Sequence, residues 1–153
     1  MEKITKEMLL NVNFLNGLKV SPGEKRAAFT LAKASGEENT YHHTLYSYEE
    51  GSVQKHRKLY ENSGFIFEND ASLLIDLQKN KSEKEALREK SKKSIYRYDL
   101  EKKALEEAFT LPIPASLEEV IDGNTLLVSA FLSEDDHVFY EDDSKREAYL
   151  EQK

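Results

Sequence analysis

Four histidines, 29 Asp and Glu residues and no cysteine are the groups from which this 153-residue chain could build a reactive centre. The missing cysteines exclude a disulfide, a thiol nucleophile, an iron–sulfur cluster and a Cys-based zinc site. His42 and His43 are adjacent. Neighbouring side chains on a strand point to opposite faces, so this pair cannot readily chelate one ion. His56, within Lys55-His56-Arg57-Lys58, reads as a phosphate contact or, more simply, as part of a polar outer strand. His137 stands between Glu134-Asp135-Asp136 and Glu141-Asp142-Asp143. Clustered carboxylates suit hard cations such as calcium, but the order lacks the Asp-x-Asp-x-Asp-Gly loop. Glu106-Glu107 and Glu118-Glu119 would serve acid–base chemistry only if buried and convergent, and adjacent strand positions diverge. Gly17, Gly23, Gly36, Gly51, Gly64 and Gly123 stand six or more positions apart. That spacing excludes a Gly-x-Ser-x-Gly nucleophile elbow, a P-loop and a dinucleotide fingerprint together. The sequence therefore predicts no catalytic, metal-binding or cofactor-binding residues and no cofactor.

The elements that would position any site are short strands. Period-two alternation marks Ala27–Ala32, His43–Tyr48, Val53–Tyr60, Ser94–Leu100 and Ala104–Phe109. Polar turns at Ser21–Lys25, Glu49–Ser52 and Glu101–Lys103 separate them. Two segments read as helical: Ser82–Lys92, which Ser82 can cap with Glu85 three residues on, and the tail from Asp143. Phe29, Leu31, Leu45, Leu74, Ile95, Leu127 and Val128 are expected in the core.

The strands repeat. Arg26-Ala27-Ala28-Phe29 recurs as Ser72-Leu73-Leu74-Ile75, 46 residues on, and again as Thr125-Leu126-Leu127-Val128, each after a polar turn. Leu45-Tyr46-Ser47-Tyr48 recurs 50 residues later as Ile95-Tyr96-Arg97-Tyr98. A unit of about 50 residues holding four strands has the size of a β-propeller blade. The expected fold is all-β: a partial propeller of about two and a half four-stranded antiparallel blades, with a short helical excursion and a helical tail. Blades fall at about 14–61, 64–112 and 115–133, so that 1–133 is the propeller part and 134–153 an acidic tail. Tyr46, Tyr48, Tyr96 and Tyr98 could stack on a ligand, but their recurrence at one place in two repeats favours packing between blades.

Charge and composition narrow the class. The net charge of −7 excludes a generally basic nucleic-acid binder. Residues 79–103 carry ten Lys and Arg against five Asp and Glu, and 134–153 carry three against eight; both mix signs, as solvated segments do. The Lys-rich excursion 79–93 is the one feature that the other repeat lacks, and so a candidate contact for a partner domain. The most apolar stretch, Leu126–Leu132, is seven residues long, against about 20 for a membrane span. No apolar leader opens the chain, so a cytoplasmic protein without nucleic-acid or membrane partners is expected.

The quoted elements, in this order, resemble the N-terminal propeller of the prolyl oligopeptidase family of serine peptidases, and within it the acylaminoacyl-peptidase-like members. The likeness is carried by LKVSPGEKRAAF at 18–29, LYSYEEGSVQKHRKLY at 45–60, FIFENDASLLID at 65–76 and the run 94–130, with Leu111-Pro112-Ile113-Pro114 between blades. That family opens blades with a Ser-Pro-Asp-Gly-Lys turn; here Ser21-Pro22-Gly23-Glu24-Lys25 lacks the Asp, and the later copies keep only the acidic turn. The resemblance implies a non-catalytic lid that gates peptides over a separate α/β-hydrolase domain, its partner in the parent chain. The alternative is a stand-alone β-sheet binding module without activity. Two and a half blades leave an uncovered face and an open edge strand, so a homodimer through those blade edges is expected.

Overall fold

Alternating residues and tight polar turns build ten strands among the residues that the computed structural model describes. Those residues are 11–131 apart from 62, 83, 86–91, 112, 114 and 124, together with Thr5 and Met8. The first sheet runs in order β1 (Asn13–Val20), β2 (Arg26–Ser35), β3 (Thr40–Glu49) and β4 (Ser52–Leu59). The second is β5 (Phe65–Asn69), β6 (Ser72–Asp76), β7 (Lys93–Asp99) and β8 (Ala104–Leu111), and the third is the hairpin β9 (Ala115–Asp122) and β10 (Thr125–Ala130). Every pairing is antiparallel and joins neighbours in sequence. The array is all-β with the strand order of propeller blades: two four-stranded sheets and the first two strands of a third.

Turn chemistry fixes the register. Glu49 pairs with Ser52 across Glu50 and Gly51, whose φ values of 48° and 81° are the left-handed pair that a two-residue hairpin turn requires. The β3–β4 ladder then slips between Thr44 and Tyr46. Such a bulge sets two residues of one strand against one of the other and re-aims a side chain.

The second sheet is covered on both sides. Residues paired across an antiparallel ladder share a face, so Phe65, Phe67, Leu73, Ile75, Tyr96 and Tyr98 point together to the first sheet, where Ala28, Leu45 and Leu59 meet them. The opposite face carries Ile66, Leu74 and Ile95 against Leu117, Val120 and Leu126 of the third sheet. Ser72-Leu73-Leu74-Ile75 is consequently buried at every position, as a strand between two layers must be.

Of the expected core residues, Leu45, Leu74 and Ile95 are buried. Phe29, Leu31 and Val128 are only half-buried and Leu127 is 50% exposed. On β2 the buried positions are Ala28, Thr30 and Ala32. The large side chains of the second sheet fill the space on that face, and only small residues leave them room. Phe29 instead stacks on Tyr46, rings 5.7 Å apart and 10° from parallel, on the outward face of the first sheet. Within the excursion after β6, residues 81, 82, 84 and 85 are helical, Lys92 at the end of the expected helix is not, and 83 and 86–91 lie outside the described residues. So does the tail 134–153.

Candidate functional site

The turn edge of the first two sheets is locked by polar groups. The Gly23 amide donates to Asp70 Oδ1 at 2.7 Å, joining the β1–β2 turn to the β5–β6 turn. Hydrogen bonds from this amide and from the Ser21 side chain hold the Asp70 carboxyl below its ordinary pKa. Arg26 extends the lock: it pairs with Glu49 at 2.9 Å in its own sheet, with Glu101 at 3.1 Å in the next, and donates to the Asp70 carbonyl at 3.3 Å.

Midway between the same sheets His56 points inward, two residues on from Gln54, the partner of Ser47, and the bulge beside it brings Arg57 to the same side. Its Nε2 lies 2.8 Å from Ser47 Oγ and its Nδ1 lies 3.3 Å from the Tyr98 hydroxyl. The Arg57 guanidinium stands 6.0 Å from the centre of the same tyrosine ring. A serine against an imidazole is the beginning of a nucleophile–base pair. Here, though, Ser47 is 5% and Tyr98 1% exposed. The group on the far side of the ring is a neutral phenol, not the carboxylate that stabilises an imidazolium in a triad. Either neutral tautomer satisfies both partners, and burial pushes the His56 pKa down, with Lys103 and Arg26 adding to the effect. The cluster is an uncharged tie between two sheets. Sequence reading missed it: it places His56 on a polar outer strand, and β4 is that strand, but alternation from Gln54, the ladder partner of Ser47, sets His56 on the inward face.

On the other side of the second sheet a cleft of about 1110 Å³ opens toward the β9–β10 hairpin, with Leu74, Phe109 and Leu126 on its apolar walls. Its charged wall is a triad in which Arg97 Nη2 and Nε each meet a Glu68 oxygen at 2.6 Å while Nη1 reaches Glu106 at 3.1 Å. Ser72 Oγ donates to Glu68 at 2.9 Å. The Arg97 contact holds the Glu68 carboxyl below its usual range, and Glu68, then Glu106, raise the arginine. Both donor edges of the guanidinium are engaged, so the triad is closed to a further anion.

The candidates read from sequence stay apart. His42 faces Glu38 at 3.5 Å, while His43 is turned to the other side, its Nδ1 without a hydrogen bond and its pKa lowered by burial. Among the described residues no three His, Asp or Glu side chains converge as metal ligands. Glu106 is held by Arg97, Glu107 accepts from Thr110 and Glu118 accepts from Ser129. His137 and the carboxylates of 134–136 and 141–143 lie outside the described residues. In the excursion, Lys84 pairs with Glu61 at 2.7 Å and Lys93 with Asp76 at 2.6 Å. Tyr96 and Tyr98 are buried between sheets, whereas Tyr46 and Tyr48 sit on the face of the first sheet that no other sheet among the described residues covers. Among the described residues no helix is long and apolar enough to cross a membrane.

No family model and no curated protein matches the sequence. The fold does have a solved counterpart, the β-propeller domain of the trilobed protease from Pyrococcus furiosus, described as having an open velcro topology. The two agree with a TM-score of 0.54 at 18% identity, over 82% of this chain and 36% of that one. The chain thus spans about a third of the solved domain, and at this identity the likeness speaks for the fold. The class of protein is defined: part of a β-propeller.

Proposed function

We propose that the chain is the non-catalytic propeller part of a cytoplasmic serine oligopeptidase related to the acylaminoacyl peptidases, 1–133 forming the propeller and 134–153 a tail. Its partner is the α/β-hydrolase domain of the parent chain, over which it gates peptides. The observation that carries this reading is the stack of blade-like sheets, similar in fold to a protease propeller, whose serine–histidine contact is sealed between sheets. A chain built in this way excludes large substrates from a neighbouring site and performs no hydrolysis. The purified chain is expected not to turn over peptide or ester substrates. The reading frame downstream of Lys153 is expected to encode a hydrolase domain with a Gly-x-Ser-x-Gly elbow. A stop codon with no such domain nearby, or turnover that one Ser→Ala change abolishes, overturns the proposal.

One observation favours the second reading, a stand-alone interaction module. Among the described residues, Leu15, Val20, Tyr48 and Val53 are exposed on the outward face of the first sheet, as on surfaces that bind other proteins.

A further inference from the structure

The two interfaces inside the chain have a direction. The second sheet turns its bulky face, with Ile75, Tyr96 and Tyr98, toward the first sheet, which receives it on small or recessed positions around Ala28. The third sheet stacks in the same sense, Leu126 and Leu117 pointing back to Leu74 and Ile95 of the second, although here both sides are bulky. Each sheet therefore has a leading face toward its predecessor and a receiving face toward its successor, both apolar where they meet.

Repeat equivalence extends the rule to both ends. At the 46-residue offset Ala27, Phe29 and Leu31 occupy the places of Leu73, Ile75 and Leu77, and at the 50-residue offset Tyr46 and Tyr48 occupy those of Tyr96 and Tyr98. The outward face of the first sheet is thus a leading face with no predecessor among the described residues. Leu15, paired with Leu31 on that face, is 55% exposed. At the far end Leu127 takes the place of Leu74, and with its partner Glu119 it belongs to a receiving face without a successor among the described residues.

We infer that the leading face of the first sheet docks on the receiving face of the third sheet of a second copy, and reciprocally. This deepens the propeller reading and rests on its fold alone, not on the peptidase parent. In both interfaces inside the chain a leading face meets a receiving face, so the contact that continues the stack is head-to-tail. Head-to-tail contacts form a ring where the rotation closes and a filament where it does not. Three sheets from each of two copies give a ring within the range of about four to eight blades known for propellers.

Sedimentation equilibrium of the full chain is expected to give twice the 17.6 kDa of one chain. Leu15→Asp and Leu127→Asp, at exposed positions on opposite ends of the stack, should each yield monomer. Mixed in equal amounts they should regain the dimer, because one of its two interfaces then carries both substitutions and the other carries none. That rescue also shows that both variants are folded. A single 17.6 kDa species across the concentration range, an open-ended polymer, a dimer indifferent to Leu127→Asp, or a mixture that stays monomeric overturns the inference. Each of these results leaves the peptide-gating proposal standing, which the absence of a downstream hydrolase domain would remove instead.

Discussion

The amide of Gly23 and the carboxylate of Asp70, 47 residues apart, meet at 2.7 Å where the turn of one sheet touches the turn of the next. A Cβ built on Gly23 would stand 2.3 Å from Asp70 Oδ2, so a larger residue there must push the Asp70 side chain aside. Gly23→Ala is expected to lower the urea midpoint by displacing Asp70, and Asp70→Ala by leaving the amide without this acceptor. Because both remove one contact, the double variant should lose less than the sum of the two. Strict additivity in that cycle would show that the turns do not communicate.

The buried imidazole should make stability depend on pH. Burial lowers the pKa of His56 in the folded state, while in the unfolded chain it titrates near 6.5. Below that value the unfolded state binds the proton that the folded state refuses, so stability is full above about pH 6.5 and declines as the pH falls toward the folded pKa. His43 shifts in the same direction by burial, so His56→Gln should flatten the dependence without abolishing it. Urea midpoints at pH 7.5 and 5.5 measure the effect. An unchanged slope in the variant would mean that the folded state accommodates the imidazolium.

The strands, their turns and the repeat were legible in the sequence because each is encoded locally. Val53 onward alternates after a Glu-Gly turn, and Thr125-Leu126-Leu127-Val128 copies Arg26–Phe29. Which face of β2 is buried was not legible. Phe29 and Leu31 are larger than Ala28 and Ala32, yet burial went to the small residues, because Ile75, Tyr96 and Tyr98 arrive from the next sheet and bring the volume with them. The contacts of His56 were hidden for a related reason: the Ser47 and Tyr98 hydroxyls that hold it come from other strands, and no residue type in Lys55–Lys58 announces them.

The ion-paired wall of the cleft should contribute little to stability despite its short distances. Arg97 is 40% and Glu68 23% exposed at the side chain, so solvent screens the pair, and Glu68→Gln is expected to cost about 0.5–1 kcal/mol. The cost should shrink as sodium chloride is raised through 0.5 M, where the screening length falls to about 4 Å. A loss several times larger and insensitive to salt would instead mark the triad as effectively buried.

The unequal faces of the sheets give the sharpest mutational contrast. Leu74 is 2% exposed and lies between the second and third sheets, among Ile66, Ile95 and Phe109. Leu74→Ala should cost about 2–5 kcal/mol, the range for a buried leucine whose cavity cannot fully collapse. Phe29 is the larger residue, but it lies half-buried on the outward face of the first sheet with Tyr46 as its ring partner. In the monomer, Phe29→Ala gives up partial burial and one stacked pair, and should cost about 1–2 kcal/mol. Denaturant titrations at a concentration low enough to keep the chain monomeric compare the two directly. If copies associate head-to-tail, the cost of Phe29→Ala grows with protein concentration while that of Leu74→Ala does not, since only Phe29 belongs to a face that a second copy would cover. Equal costs for the two residues in the dilute chain would mean that the leading face of the first sheet is already covered.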